Sequence, residues 1–134
     1  MNIPENVKIM VLIADDDPDT RDLLRTALET KNYTVVEVAD GHEMVEKSQV
    51  EKPNLIIADV MMPRIDGFEG VQKLRETPHF KKIPVLFISC IVAGEAIVSK
   101  MKNMPFCTFL EKPFDPKTLL RLINELLAQA EHAV

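Results

Sequence analysis

The chain has 134 residues, of which 46% are hydrophobic and 28% are charged, a composition typical of a folded globular protein. We therefore predict a single domain over residues 1–134. No apolar run reaches the roughly 20 residues that cross a bilayer, and the first ten residues lack a secretory signal, so we expect a cytoplasmic protein without membrane association. The net charge of −5, without a run of Lys or Arg, argues against direct nucleic-acid binding.

Short apolar runs alternate along the chain with longer segments of helical periodicity. Five such βα units predict an α/β fold with a doubly wound parallel sheet, and the flavodoxin-like strand order 2-1-3-4-5 is one of the few orders that right-handed crossovers allow. Strands are predicted at residues 8–14, 33–38, 54–59, 83–89 and 106–110. Helices are predicted from Pro18 onward, with Asp17 as N-cap, and at residues 41–50, 67–75, 93–101 and about 116–130.

Apolar side chains at helical spacing predict which face of each helix is buried. We expect Cys90 and Cys107 to be buried as well, because they lack CxxC spacing and the cysteine density of a secreted scaffold. The predicted inward residues are Leu23, Leu24, Ala27 and Leu28 in the first helix, Ala93, Ala96, Ile97 and Met101 in the fourth, and Leu119, Leu120, Ile123, Leu126 and Leu127 in the last.

Polar side chains follow the carboxyl ends of the predicted strands, where open α/β sheets place their sites. The first strand ends in Asp15, Asp16 and Asp17, the third in Asp59, the fourth in Ser89 and the fifth in Glu111, Lys112 and Pro113. Carboxylates so close together repel one another unless a cation lies among them, and an all-oxygen site with room for water favours Mg²⁺. Such a site suits a phosphoryl group, with Asp59 as the candidate nucleophile.

Four motifs in this order and spacing resemble those of the receiver domains of two-component response regulators, over nearly the whole chain. They are LIADDDP at the first strand end, DVMMPRIDG from Asp59 to Gly67, PVLFIS ending in Ser89, and EKPF around Lys112. The resemblance implies Asp59 as the phosphoacceptor, Asp16 as a direct metal ligand, Asp15 as a ligand mainly through water, and the Met61 carbonyl as the third protein ligand.

By the same resemblance, Ser89 donates its hydroxyl to the phosphoryl group, and Lys112, held by a cis bond to Pro113, pairs with that group. Phe109 is the implied switch aromatic, which turns inward with Ser89 and remodels the face of helix 4, strand 5 and helix 5. The implied donor is a histidine kinase or histidine phosphotransfer protein, and the implied receiver of the signal is an effector or output domain. The chain then catalyses only its own phosphorylation and dephosphorylation.

Two departures from the family pattern affect these expectations. The stretch KNMPFCT before strand 5 contains Pro105 and no Gly, so the geometry of that turn is open. Met61 and Ile91 occupy the positions that flank the path of the hydrolytic water in the family. Both are bulky and apolar, so we predict slow self-dephosphorylation.

Three alternative functions fit these residues less well. A haloacid-dehalogenase-type phosphatase needs DxDx[TV] on the first strand, but the fifth position is Asp19 from Asp15 and Arg21 from Asp17. A flavodoxin needs a Ser/Thr/Gly phosphate loop, and DDDPDT repels a phosphate. A receiver-like docking module is expected to lose an acid or the lysine. Phe109 also has the simpler interpretation of a static core residue.

Overall fold

The computed structural model describes residues 8–90, 99–101 and 103–132. Its strands are β1 (Met10–Ala14), β2 (Thr34–Val38), β3 (Leu55–Asp59), β4 (Val85–Ser89) and β5 (Cys107–Glu111). Its helices are α1 (Pro18–Glu29), α2 (Gly41–Glu51), α3 (Gly67–Arg75) and the C-terminal helix (Pro116–His132), with a 3₁₀ turn at Pro78–Phe80.

The five strands form one parallel sheet in the order β2-β1-β3-β4-β5, so the predicted fold class is confirmed. The register aligns Ala14 with Ala58 and Asp59 with Ile88, which brings the carboxyl ends of β1, β3 and β4 to one edge. Ser89 is paired with Glu111 on β5 at the same edge. The order and register therefore gather the residues that follow these strands.

Two apolar clusters cover the two faces of the sheet. One cluster packs α2 and α3 through residues such as Met44, Phe68 and Val71 against alternate strand residues. The other packs α1 and the C-terminal helix through residues such as Leu24 and Ile123 against the opposite set. Because both faces are covered, all five residues of β3 and of β4 are buried, as central parallel strands require.

The helices α1, α2 and α3 each begin at an Asp N-cap whose carboxylate accepts a backbone N–H of the first turn. These caps are Asp17, Asp40 and Asp66. Each lies between the carboxyl end of a strand and the helix that follows it, so part of the acidity of this edge of the sheet serves helix capping.

Two burial predictions are wrong. Leu23 is 47% exposed, because the inward stripe of α1 is centred on Leu24, Ala27 and Leu28 and successive helical residues point about 100° apart. Cys90 is exposed and Cys107 is half-buried, because Cys90 follows the last residue of β4, beyond the covered part of the sheet.

Strand boundaries also differ from the predicted ones. Strand β5 begins one residue later than expected, at Cys107, and continues to Glu111, because Phe106 adopts a left-handed backbone with φ of 60°. A left-handed backbone is the conformation that favours glycine. Strand β4 likewise begins at Val85, after Pro84, since a proline has no N–H to give to the sheet.

The predicted helix at 93–101 falls largely outside the described residues. Residues 99–101 are helical, and Met101 packs against the cluster that contains Phe68, as its predicted inward position requires. Four of the five predicted inward residues of the C-terminal helix are confirmed, with Leu119, Ile123 and Leu126 buried and Leu127 partly buried against the same cluster. The fifth, Leu120, is only half-buried and lies outside that cluster.

Candidate functional site

Two buried carboxylates lie at the carboxyl edge of the sheet. Asp15 follows β1 directly and is 0% exposed, and Asp59 is the last residue of β3 and is 6% exposed. The Asp15 N–H donates to the Val38 carbonyl at 3.2 Å, which extends the β1–β2 pairing by one residue. The two side chains come from neighbouring strands, so the topology alone brings them together.

Lys112 joins these two carboxylates. Its Nζ donates to Asp15 Oδ2 at 2.8 Å and to Asp59 Oδ2 at 2.9 Å, and its side chain is 13% exposed. The Lys112 N–H donates to the Ser89 carbonyl at 2.9 Å, which ties the residue to the end of β4. The peptide bond to Pro113 is cis, as the resemblance implies. A single ammonium group thus partly offsets the charge of two carboxylates that have little contact with water.

The electrostatics of the pair follow from burial and from these hydrogen bonds. Burial raises the pKa of Asp15 above its usual range, while hydrogen bonds from Lys112 and from the Asp17 N–H oppose that shift. Burial by itself would lower the pKa of Lys112, but its hydrogen bonds to Asp15 and Asp59 outweigh burial and raise the pKa. Lys112 therefore remains an ammonium ion, and the site still carries an excess of carboxylate groups.

Asp16 adds a third carboxylate to this site. Unlike Asp15 and Asp59 it is exposed, and one oxygen of each of the three residues lies within 4.8 Å of the others. An all-oxygen donor set that is open to water on one side is the kind that Mg²⁺ accepts, since this ion keeps several waters. The residues present fit a hard divalent cation.

Asp17 does not take part in this cluster. Its carboxylate accepts the Asp19 N–H at 3.0 Å and the Thr20 hydroxyl at 2.9 Å, so it serves as the N-cap that the sequence predicts. The Asp17 N–H in turn donates to Asp15 Oδ1 at 2.9 Å. Of the three consecutive acids, two are thus available to a cation and one begins α1.

The loop between β3 and α3 holds Asp59 from the other side. The Met61 N–H donates to Asp59 Oδ1 at 3.0 Å, and the Met61 side chain is turned out, with 61% of the residue exposed. Gly67 packs so close to the Asp59 backbone that a Cβ there would lie 2.4 Å from the Asp59 carbonyl oxygen. A larger residue would push the loop away from the strand end, so Gly67 is needed for the position of Asp59.

Ser89 and Phe109, the two predicted switch residues, lie on neighbouring strands. Ser89 ends β4 and is 1% exposed, next to Glu111 in register. Phe109 is half-buried on β5, opposite Phe87, and packs against the cluster on the α3 face. Ser89 lies at the carboxyl edge that carries the acids, whereas Phe109 is the third of the five residues of β5. The position of Phe109 suits both a switch residue and a core residue.

A side-chain bridge from Arg21 at this edge was not predicted. The Arg21 guanidinium on α1 donates through Nη1 to the Asp15 carbonyl at 2.6 Å, and its Nε lies 3.3 Å from Glu37 Oε1 on β2. Neither residue belongs to a motif. Only the helix periodicity, which places Arg21 one turn after the Asp17 cap, could have suggested that it reaches back to the strand end.

Among the described residues, no helix is both long enough and apolar enough to cross a membrane. Residues 11–124 match the response regulator receiver domain.

An uncharacterized 14.6 kDa protein of Leptolyngbya boryana is 36% identical over 115 residues, which are 86% of this chain and 87% of that protein. Response regulator Rre1 of Synechocystis is 34% identical over 92% of this chain and 53% of its own length. The solved structure of chemotaxis protein CheY4 of Vibrio cholerae is 32% identical, with a TM-score of 0.83 over 90% of this chain and 99% of that one. The chain spans about half the length of several curated relatives that it matches.

Proposed function

This chain belongs to the family of response regulator receiver domains of two-component signalling, and on that premise we propose that Asp59 accepts a phosphoryl group. The donor is a histidine kinase or a histidine phosphotransfer protein. The observation that carries the proposal is the contact of Lys112 Nζ with both Asp59, at 2.9 Å, and Asp15, at 2.8 Å. This contact puts a permanent positive charge beside the proposed acceptor oxygen.

Asp59 acts as the nucleophile. A bond forms between its carboxylate oxygen and phosphorus while the bond from phosphorus to the donor histidine nitrogen breaks, and that nitrogen keeps the electron pair and takes up a proton. Met61 N–H, bonded to Oδ1 at 3.0 Å, fixes the rotation of the carboxylate. Phosphoryl transfer depends mainly on alignment and charge neutralisation, and a carboxylate held on both oxygens provides the first.

Lys112 provides part of the neutralisation. Its ammonium group is already desolvated and hydrogen-bonded to Asp59. It can therefore stabilise the negative charge on the phosphoryl oxygens with little reorganisation. Ser89, the buried last residue of the adjacent strand β4, is proposed to donate its hydroxyl to the same oxygens.

Asp15, Asp16 and Asp59, with the Met61 carbonyl, are the residues proposed to hold Mg²⁺. The bound ion supplies positive charge that neutralises the phosphoryl oxygens and counters repulsion among the carboxylates. Support comes from the three carboxylates, whose oxygens lie within 4.8 Å of one another. Asp16 is the exposed member of the three.

Phosphorylation is proposed to change the face formed by β5, the C-terminal helix and the helix that the sequence predicts at residues 93–101. Phe109 lies on β5, partly buried beside the α3-side cluster, from where its ring can move inward as Ser89 moves toward the phosphoryl group. This is a shift between two pre-existing states, driven by the phosphoryl group binding one better than the other. The face then controls a downstream effector or an output domain.

The unit proposed to do this is the single domain 1–134, a signalling module that catalyses its own phosphorylation and slow dephosphorylation. A cytoplasmic location fits a kinase donor. A phosphorylation-independent docking module is the second candidate. It is expected to lack an acid or the lysine, whereas this chain has Asp15, Asp16, Asp59 and Lys112.

The test is the intact mass of the protein after incubation with acetyl phosphate and Mg²⁺. We expect one added phosphoryl group on the wild type, and none with a chelator or in Asp59→Asn. Asp17→Asn is the matched control, because Asp17 lies at the same edge but caps α1, and it should be phosphorylated. If the folded wild type stays unmodified with acetyl phosphate and also with a histidine phosphotransfer protein as the donor, the docking module is favoured.

A further inference from the structure

Arg21 joins the acidic loop to the edge strand of the sheet. Its Nη1 donates to the Asp15 carbonyl at 2.6 Å, and its Nε lies 3.3 Å from Glu37 Oε1 on β2. The side chains of Arg21 and Glu37 are only 20% and 24% exposed. Water therefore has limited access to replace these bonds, and the guanidinium is held by two partners in a defined orientation.

The bond to the Asp15 carbonyl controls the peptide group between Asp15 and Asp16. A peptide is planar, so fixing the carbonyl of one residue restricts the backbone angle at which the next residue leaves. The neighbouring backbone N–H groups have other acceptors. The Asp15 N–H donates to the Val38 carbonyl, and the Asp17 N–H donates to Asp15 Oδ1. The Arg21 contact is thus what holds the peptide that leads to Asp16, the exposed member of the acidic cluster.

Glu37 makes this arrangement electrically neutral. It pairs with Arg21 and also with Arg25 one turn later on α1, and Arg25 pairs in addition with Asp22 at 2.5 Å. Two arginines are thereby balanced by two carboxylates. An unpaired guanidinium beside the acids would compete with a cation for them, whereas this one orients the loop without adding net charge.

We propose that Arg21, neutralised by Glu37, is a positioning residue for the cation site, holding the Asp15–Asp16 peptide so that the three carboxylates converge. The inference rests on the proposed function, because it takes Mg²⁺ as the occupant. Groups that orient metal ligands without touching the metal commonly change its affinity on the order of tenfold when removed. The effect is expected on Mg²⁺ affinity, with the phosphoryl-transfer step itself left intact.

The experiment is an NMR-detected titration of the protein with MgCl₂, comparing wild type, Arg21→Met and Arg25→Met. Arg25→Met is the matched control, because Arg25 lies on the same helix and bonds to Glu37 and Asp22. We expect about tenfold weaker Mg²⁺ binding in Arg21→Met and less than about twofold change in Arg25→Met. Thermal unfolding should show comparable losses of stability in the two variants.

Two further readouts separate positioning from general damage. With acetyl phosphate, Arg21→Met should need about tenfold more Mg²⁺ for half-maximal phosphorylation but reach the wild-type rate at saturation. Arg21→Lys, whose ammonium can reach one of the two partners but not span both, should recover part of the affinity. If Arg21→Met does not fold, the comparison of Arg21→Lys with Arg25→Lys carries the test, with weaker binding expected in the first alone.

Each other outcome overturns the inference. Equal Mg²⁺ affinity in wild type and Arg21→Met, or equal weakening in Arg21→Met and Arg25→Met, would show that Arg21 does not position the site. If phosphorylation of Arg21→Met has the Mg²⁺ dependence of the wild type but a lower maximal rate, Arg21 acts in the transfer step instead. Asp16→Asn is the negative control for Mg²⁺ binding. If the folded wild type binds no more Mg²⁺ than this variant, the metal site of the proposed function is refuted, and the inference with it.

Discussion

Replacing Lys112 by Met removes the ammonium group that lies 2.8 Å from Asp15 Oδ2 and 2.9 Å from Asp59 Oδ2. The side chains of Asp15 and Asp59 are only 0% and 9% exposed, so water cannot replace the lost hydrogen bonds. Removing one partner of a buried ion pair costs about 3–5 kcal/mol. Lys112 keeps 13% exposure, which favours the lower end of that range, a loss of about 3 kcal/mol in unfolding free energy or about 10 °C in Tm.

The loss should depend on pH and on Mg²⁺. Burial already raises the pKa of Asp15 with Lys112 in place, and without Lys112 that pKa rises further. The folded variant then binds a proton more tightly than its unfolded chain, so its stability falls as pH rises through the folded pKa. The destabilisation relative to wild type is therefore larger at about pH 8 than at about pH 5.5, and Mg²⁺ restores more stability to the variant than to wild type.

Urea unfolding followed by circular dichroism measures these differences. Arg121→Met is the control, because Arg121 pairs with Glu125 at 2.9 Å on the exposed face of the C-terminal helix, with side chains 60% and 55% exposed. Its loss should stay below about 1 kcal/mol. The reasoning is refuted if Lys112→Met is as stable as Arg121→Met without Mg²⁺ at about pH 8, or if its stability rises with pH.

Three further predictions address other parts of the chain. Met61→Asn combined with Ile91→Glu should shorten the phosphoryl lifetime, because the native side chains cannot orient a hydrolytic water; decay of the phosphorylated mass measures it. Lys52→Gly should stabilise the protein by about 0.5 kcal/mol in urea unfolding, since the exposed Lys52 ends α2 with φ of 53°. Iodoacetamide should alkylate exposed Cys90 before half-buried Cys107, whose pKa is raised by burial, as peptide mass spectrometry will report.

Each of these has a contradicting result. An unchanged decay rate in the double variant would remove the water-blocking argument. Lys47→Gly, inside α2, is the control for Lys52→Gly and should destabilise by about 1 kcal/mol; equal losses in both would mean that the left-handed helix end carries no strain. Faster alkylation of Cys107 than of Cys90 would contradict the order of burial.

The sheet was predictable from the sequence because local and global signals agree. The run LIIAD of β3 is apolar along both faces and ends in an acid, and it is buried throughout. The Asp17–Pro18 pair begins α1 as its cap chemistry requires. Such signals lie within one segment, so no knowledge of the tertiary contacts is needed.

The departures come from contacts and conformations that no single segment encodes. Leu23 lies at the edge of its stripe, where the packing of neighbouring elements decides burial, and it remains 47% exposed. Phe106 takes a left-handed backbone that propensity favours for glycine, which moves β5 by one residue. Both depend on what surrounds the segment.

The candidate site divides in the same way. Asp15, Asp59 and Lys112 were predictable together because each lies at the carboxyl end of a strand, and parallel strands bring those ends to one edge of the sheet. The bridge from Arg21 to the Asp15 carbonyl and Glu37 was not, since it joins a helix and an edge strand through side chains that have no motif. The groups expected to act in chemistry are thus visible in the sequence, and a group that holds them in place is visible only in the structure.

The most direct measurement of the central claim is chemical mapping of the phosphorylated residue. An aspartyl phosphate is an acyl phosphate, and borohydride reduces it to the alcohol, so the modified Asp becomes homoserine while unmodified carboxylates do not react. After acetyl phosphate, Mg²⁺ and borohydride, peptide mass spectrometry should find homoserine at position 59 alone. Homoserine at position 15 or 16, or its absence from a protein that has gained the phosphoryl mass, would contradict the account.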